Sequence, residues 1–293
     1  MLVNLCLTPS SFADIAHNVV IVTSSDSSYQ RRTAGRIREN LEEKGARTMV
    51  VSADSIASIT PNGRTLYVAI GDEAINNLNR FDADAMALRM TSREMPNRRY
   101  TSTKADLITA QPDCRHIRLI RSIDPGWSTI GVLSSIESLD IAAALTKCSI
   151  RHNINLQVYA ITDTTDLLKT LETAVVKNKV LLAINDPLIY NSNTVKNILL
   201  TAYRHRKPVI GYSDSFVQAG AVAAVYTSPE SAADKAVSIV SKFFENSWQF
   251  GKKRYYTDDF SISTNIQVSK SLDINIPDED SIRRSIERME KKP

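Results

Sequence analysis

The sequence predicts an α/β chain made of two doubly wound, parallel-sheet lobes joined by a hinge. Three observations predict it. Short apolar, β-branched runs alternate with segments of helical period along most of the chain. The rhythm stops at Asp124-Pro125-Gly126, a turn signal, and restarts on a similar plan. The length, 293 residues, suits two domains at roughly 150 residues each.

The first series begins with Asn18–Ser24 (NVVIVTS), apolar throughout its middle as a buried parallel strand should be. It opens into the polar loop Ser24-Ser25-Asp26-Ser27-Ser28. A helix follows over Tyr29–Lys44, with Ala34, Ile37 and Leu41 on one face and Gly45 as its stop. Thr48–Ser52 and Thr65–Ile70 are strands, the second ending in Gly71-Asp72, where Asp72 is placed to cap a short helix over 73–79. Met86–Met90 is a fourth strand that runs into Thr91-Ser92.

The second series starts with the strand Thr129–Leu133, which opens into Ser134-Ser135, and a helix over 137–152. The strand Leu156–Ile161 and a helix over 165–178 come next. Val180–Ile184 ends in Asn185-Asp186-Pro187 and is followed by a helix over 194–205, with Val195, Ile198, Leu199 and Ala202 on one side. Pro208–Tyr212 ends in Ser213-Asp214-Ser215, and Ala221–Tyr226 closes the series. Pro229 suits the first turn of a helix that runs to Asn246, with an apolar stripe from Ala232 to Phe244. The predicted lobes are 18–123 with 228–250, and 127–226 with 255–280. Residues 281–293 read as a charged tail, either a solvated helix or a frayed end.

Composition removes several function classes. The chain is 43% hydrophobic and 23% charged, ordinary for a globular protein and wrong for disorder or collagen. No run approaches the roughly 20 apolar residues of a bilayer span. The net charge of +4 is scattered rather than clustered, so no nucleic-acid partner is expected. The loop after the first strand lacks G-x-G-x-x-G, Gly251-Lys252-Lys253 lacks the spacing of a phosphate loop, and no G-x-S-x-G elbow occurs. The histidines (His17, His116, His152, His205) stand apart, so neither a metal site nor a cofactor is expected. Cys148 falls on the apolar side of its helix and reads as a small buried hydrophobe, and nothing in the spacing pairs it with Cys114. Residues 1–17 hold a short apolar stretch, Leu2–Leu7, and a small-x-small triplet, Ser11-Phe12-Ala13. They read as the remnant of an export leader or as a disordered end.

What remains is a set of polar loops at the carboxyl ends of predicted strands, where open α/β sheets bind ligands. They supply hydroxyls, carboxylates and backbone N–H groups suited to orienting a small polar molecule. The same residue types are ordinary helix caps, and each loop precedes a helix. The candidates are Ser25, Asp26, Gly71, Asp72 and Ser92 from the first lobe, and Ser134, Ser135, Asp186 and Ser213 from the second. Tyr190 and Phe216 are added as stacking walls or core aromatics, and Arg98 and Arg99 as exposed cations that suit an acidic ligand.

Residues 111–226 carry a family resemblance. Gln111-Pro112, Arg115–Ile120, Pro125 and Ile130–Leu133 resemble the lobe junction of ABC-transporter substrate-binding proteins of the type I, two-lobed periplasmic form. The stretch from Leu181 to Asn191, with Asp186-Pro187, resembles that family's third strand of the second lobe. The segments 198–212 (ILLTAYRHRKPVIGY) and 216–226 (FVQAGAVAAVY) are similar to the helix and strands that follow it, and Ser263–Asn265 with Ser271–Pro277 to its closing strand and helix. The likeness spans most of 18–277 and is weak at 80–105. It implies two α/β lobes that close on a ligand, with the chain crossing near 122–127, 226–229 and 249–256. It also implies a periplasmic or exported, monomeric solute-binding protein without enzymatic activity, whose partners are a small-molecule ligand and an ABC permease and ATPase. An accessory protein of the same fold that reports its ligand to a partner is the alternative. A two-lobed enzyme would need a metal or phosphate constellation that the sequence does not show.

Overall fold

A computed structural model describes residues 17–24, 27–59, 63–80, 83–89, 101 and 103–291. The chain divides into two units: Met1–Leu88, Asn97–Leu107 and Ala233–Tyr255 form the first, and Arg89–Pro96, Ile108–Ala232 and Tyr256–Pro293 the second.

In the first unit the apolar runs become β1 (Asn18–Thr23), β2 (Arg47–Ser52), β3 (Thr65–Ile70), β4 (Asp84–Arg89) and β5 (Lys104–Ile108). With β11 (Arg254–Tyr256) they form a six-stranded sheet in the order β11-β5-β4-β3-β1-β2. β1 runs parallel to both β2 and β3, and β3 parallel to β4. Helices α1 (Ser28–Glu42) and α2 (Asp72–Leu78) follow β1 and β3. Val19, Ile21, Leu66, Val68 and Met86 from the sheet pack with Ile37 and Leu41 of α1.

The second unit repeats the plan. Helix α3 (Asp113–Ile123) leads into β6 (Thr129–Ser134), α4 (Leu139–Arg151), β7 (Asn155–Ala160), α5 (Leu167–Lys177), β8 (Val180–Leu182), α6 (Val195–Arg204), β9 (Val209–Gly211), α7 (Asp214–Ala219) and β10 (Ala223–Tyr226). Helix α8 (Pro229–Glu245) then adds Ala233, Ala236, Val240 and Phe243 to the first unit's core. The chain ends with β12 (Ser261–Thr264), α9 (Ile266–Ser271) and α10 (Glu279–Lys291). The second sheet has the order β12-β10-β9-β8-β6-β7, with β12 antiparallel to β10 and the other pairs parallel.

Three expectations change. The chain passes from the first unit to the second at 107/108, so α3 belongs to the second unit and not to a lobe ending at 123. The charged end is a helix, as one of its two readings had it, but not a solvated one: Ile282 and Ile286 of α10 are fully buried. Glu290 accepts bonds from Arg115 Nε and Nη2 at 2.8 and 2.9 Å and from Arg118 Nη1 at 3.2 Å, which holds α10 on α3. Finally, Cys148 is a disulfide partner of Cys114, with Cα atoms 5.5 Å apart, joining α4 to α3. Their sequence separation of 34 gave no hint of this, because only helix packing brings the two together. Residues 1–16 of the expected leader lie outside the described residues.

Candidate functional site

In the second unit β6, β8 and β9 run parallel, so their carboxyl ends lie along one edge of the sheet. The sequence-predicted residues Ser134, Ser135, Asp186, Tyr190, Ser213 and Phe216 all follow or end these strands. Asp186 is fully buried. One carboxylate oxygen accepts Ser135 N–H at 2.8 Å and the Ser138 hydroxyl at 2.6 Å. The other accepts Leu188 N–H at 3.1 Å and Ile189 N–H at 3.3 Å. A carboxylate has about four acceptor positions, and here protein donors take them. Asp186 thus ties the loop after β8 to the start of α4.

The neighbouring serines turn inward as well. Ser134 Oγ lies 2.9 Å from Ser138 Oγ, and both residues are buried. Ser135 Oγ accepts Glu137 N–H at 3.1 Å, a capping bond for the turn that leads into α4. For these three hydroxyls the cap and tie roles are the ones the geometry displays.

Beside this network stands an aromatic wall. Tyr190 and Phe216 are buried, with ring centroids 5.7 Å apart, and Tyr212 is half-buried, 4.9 Å from Phe216 and 6.5 Å from Tyr190. Gly211 makes the wall possible, since a Cβ there would meet Phe216 Cβ at 2.5 Å. Burial pushes the Tyr190 phenol up, helped by Tyr212 and Asp186. Burial and then Asp186 push Tyr212 up to about 12. Both phenols are therefore neutral at physiological pH, each able to donate one hydrogen bond beside a carboxylate that is already filled. Ser213 is half-buried and occupies the N-cap position of α7, with its carbonyl accepting Phe216 N–H at 3.1 Å.

The first unit presents the carboxyl ends of β1 and β3. Ser24 Oγ donates to Ile70 O at 3.2 Å and accepts Ala74 N–H at 2.8 Å. That bond satisfies the start of α2, so the cap expected of Asp72 comes from Ser24, just past the end of the neighbouring β1, and Asp72 is an exposed first-turn residue. Gly71 has φ +93°, and a Cβ on it would come within 2.6 Å of Ser24 Oγ. Ser25, Asp26, Ser92, Arg98 and Arg99 lie outside the described residues.

Sequence reading missed Tyr212, Ser138 and Arg89. Tyr212 directly follows β9, where the sequence pattern makes it the last residue of the strand. Ser138 was hidden because only tertiary structure aims it at Asp186. Arg89 is 2% exposed at the end of β4. A charge inside the apolar run AMALRM marks it. Among the described residues no group of three or more His, Cys, Asp or Glu is placed to hold a metal ion, and no helix is long and apolar enough to cross a membrane.

About nine tenths of the chain superposes on each of several solved structures. A conserved domain protein from Vibrio cholerae shares 16% identity, covers 92% of this chain and 98% of its own, and superposes with a TM-score of 0.69. An ABC domain from Streptococcus pneumoniae, solved in complex with L-Trp, gives 13% identity, the same coverages and a TM-score of 0.69. A ligand-free, open substrate-binding protein with adhesive properties from Clostridium difficile gives 16% identity over 91% and 98% of the two chains, with a TM-score of 0.71. These likenesses concern the fold. No curated protein sequence matches the chain at a significant level. The family model for the ABC transporter substrate binding protein matches residues 99–284, more than half of the sequence. The chain therefore belongs to the ABC transporter substrate-binding proteins, which capture a small-molecule ligand for an ABC transporter.

Proposed function

We propose that this protein captures a small organic solute bearing a planar, ring-like part, and delivers it to an ABC permease as an exported monomer, without turnover. The observation that carries the reading is the Tyr190–Tyr212–Phe216 wall at the carboxyl edge of the second sheet, where half-buried Tyr212 offers a ring face and a neutral hydroxyl. Aromatic faces favour offset or edge contacts with other rings and add about 0.5–1.5 kcal/mol to simple burial. The Streptococcus pneumoniae relative bound to L-Trp supports a ring-bearing ligand. Capture without turnover is supported by Asp186, whose oxygens accept protein donors rather than standing free as acid or base. The Cys114–Cys148 disulfide supports an oxidising, exported location.

A thermal-shift screen of amino acids, nucleosides and aromatic acids tests the reading. Ring-bearing ligands should raise the melting temperature, and Tyr212→Ala should abolish most of the rise while leaving the unliganded protein folded. A rise confined to aliphatic or sugar ligands and indifferent to Tyr212→Ala would overturn it.

A further inference from the structure

The opposite edge of the second sheet holds a cavity of about 620 Å³ whose lining combines apolar Ile123, Trp127 and Leu272 with the cations Lys179, Arg206 and Lys207. Lys179 and Pro208 immediately precede β8 and β9, and Trp127 lies two residues before β6, so this cavity lies at the amino ends of the strands whose carboxyl ends carry the aromatic wall. Its volume falls in the range of small-molecule sites.

Two helix ends contribute to the lining in an unusual way. Arg206 follows the last turn of α6 with φ +53°, and Asp273 follows the last turn of α9 with φ +59°. Glycine is the favoured residue in that left-handed position, because a side chain there crowds the backbone. Both positions instead carry charged side chains, and these pair with each other through Arg206 Nη2 and the Asp273 carboxylate. The pair is open to solvent, at 64% and 81% exposure, so the carboxylate can be exchanged for another. Lys179 Nζ is engaged with Gly126 O at 2.9 Å. Three cations share the lining with the two carboxylates Asp124 and Asp273, which leaves one net positive charge beside its apolar residues.

We infer that this cavity binds small monocarboxylates with an apolar body: the ligand's carboxylate replaces that of Asp273 on Arg206, beside Lys207, and its apolar part rests against Trp127. A doubly charged head group is disfavoured by Asp124 and Asp273. The chain has two tryptophans, so Trp248→Phe leaves Trp127 as the sole indole reporter. In that background, 4-phenylbutyrate should quench or shift Trp127 emission saturably, and its neutral amide and phenyl phosphate should do so at least five-fold more weakly. Arg206→Gly removes the cation while relieving the backbone, so the protein stays folded, and it should weaken 4-phenylbutyrate binding at least five-fold. Asp273→Asn removes the competing carboxylate and should tighten it. Silent Trp127 emission, equal binding by the amide, or unchanged affinity in Arg206→Gly would each overturn the inference. The aromatic wall is untouched by these variants, so a failed result here leaves the solute-capture reading standing.

Discussion

The two units are built on one plan but are held together differently. In the first, the polar loop after β1 gives its hydroxyls to helix starts: Ser24 serves α2, and Ser27 accepts Gln30 N–H at 3.3 Å as the cap of α1. Its closing helix α8 is seated by packing of Ala233, Ala236, Val240 and Phe243, with Arg36 and Asn40 bonded to Asp234 only at the surface. In the second, the matching loop after β6 surrenders its donors to the buried Asp186, and the helices on its face are cross-linked by a disulfide and a two-pronged arginine–carboxylate pair. Packing is forgiving of small changes, whereas a buried polar network fails when one member is lost. The second unit is therefore the brittle, well-ordered half and the first the adaptable one.

The strongest test of that contrast is Asp186→Ala. It leaves Ser135 N–H, Ser138 OH, Leu188 N–H and Ile189 N–H facing a void at a buried position. Each stranded donor costs about 1–3 kcal/mol, offset by local relaxation, and the net loss should be roughly 4 kcal/mol in urea unfolding. The isosteric Asp186→Asn should also be costly, since its amide group meets N–H donors where an oxygen is required. A loss under about 1 kcal/mol would mean the network is not what orders this edge.

Next comes the disulfide. Cys114→Ala with Cys148→Ala opens a loop of 34 residues, which should lower stability by roughly 3–4 kcal/mol on chain-entropy grounds. Reduction of the unmodified protein should reproduce the drop. The first unit has no cross-link among its described residues, so its amides in β1 and β3 should keep their hydrogen-exchange protection in the variant while those in α3 and α4 lose theirs. Equal loss in both units would show that the contrast is one of geometry and not of energetics.

Helix α3 also carries two opposed titrations. Burial, and then the charge of Arg115, pushes His116 down to about 4. Burial, and then Asp140, pushes Asp113 up to about 6. A depressed histidine contributes stability that is complete above its unfolded pKa near 6.5 and is lost as pH falls towards 4. A raised carboxyl does the reverse: its contribution is complete below about 4 and is lost as pH rises through 6. The two slopes oppose one another between pH 4 and 6.5, so in the intact protein these two contributions nearly cancel. His116→Gln should unmask a fall with rising pH, and Asp113→Asn a fall with acidification, each of roughly 2 kcal/mol across that window. Parallel slopes in the two variants would break the assignment.

The fold was legible wherever periodicity carried it. NVVIVTS and TLYVAI read as buried strands because both faces of a parallel sheet are covered, and the stripe of α8 is regular enough to place it. Helix α10 was misread because ERMEKK looks solvated; its two buried isoleucines, four residues apart, are too sparse a stripe to outweigh the charges, and the Arg115 and Arg118 partners of Glu290 lie more than 170 residues away. The site was legible as loops and illegible as chemistry. Ser134, Ser135 and Asp186 stand at a strand end in any reading, but whether their polar atoms face a ligand or one another depends on Ser138 and on the turn at Pro187. Tyr212 escaped notice because it was counted as the end of a strand.

The smallest effect tests the first unit directly. Ser24→Ala removes the bond to Ala74 N–H and the one to Ile70 O, and should cost about 1 kcal/mol, the usual value of a lost cap. Its signature should be local: faster hydrogen exchange at Ala74 with the second unit unchanged. Gly71→Ala should be worse, since the new Cβ would lie 2.6 Å from Ser24 Oγ and 2.7 Å from Gln30 Nε2 at a φ of +93°. The double variant separates strain from collision. If the clash with the serine hydroxyl dominates, Ser24→Ala should recover part of the Gly71→Ala loss, so that the two costs add to less than their sum. Full additivity would instead assign the loss to the left-handed backbone. Partial recovery is the outcome expected of a packed, adaptable edge, and it has no counterpart at Asp186, where removing a neighbour such as Ser138 can only leave the carboxylate with fewer donors.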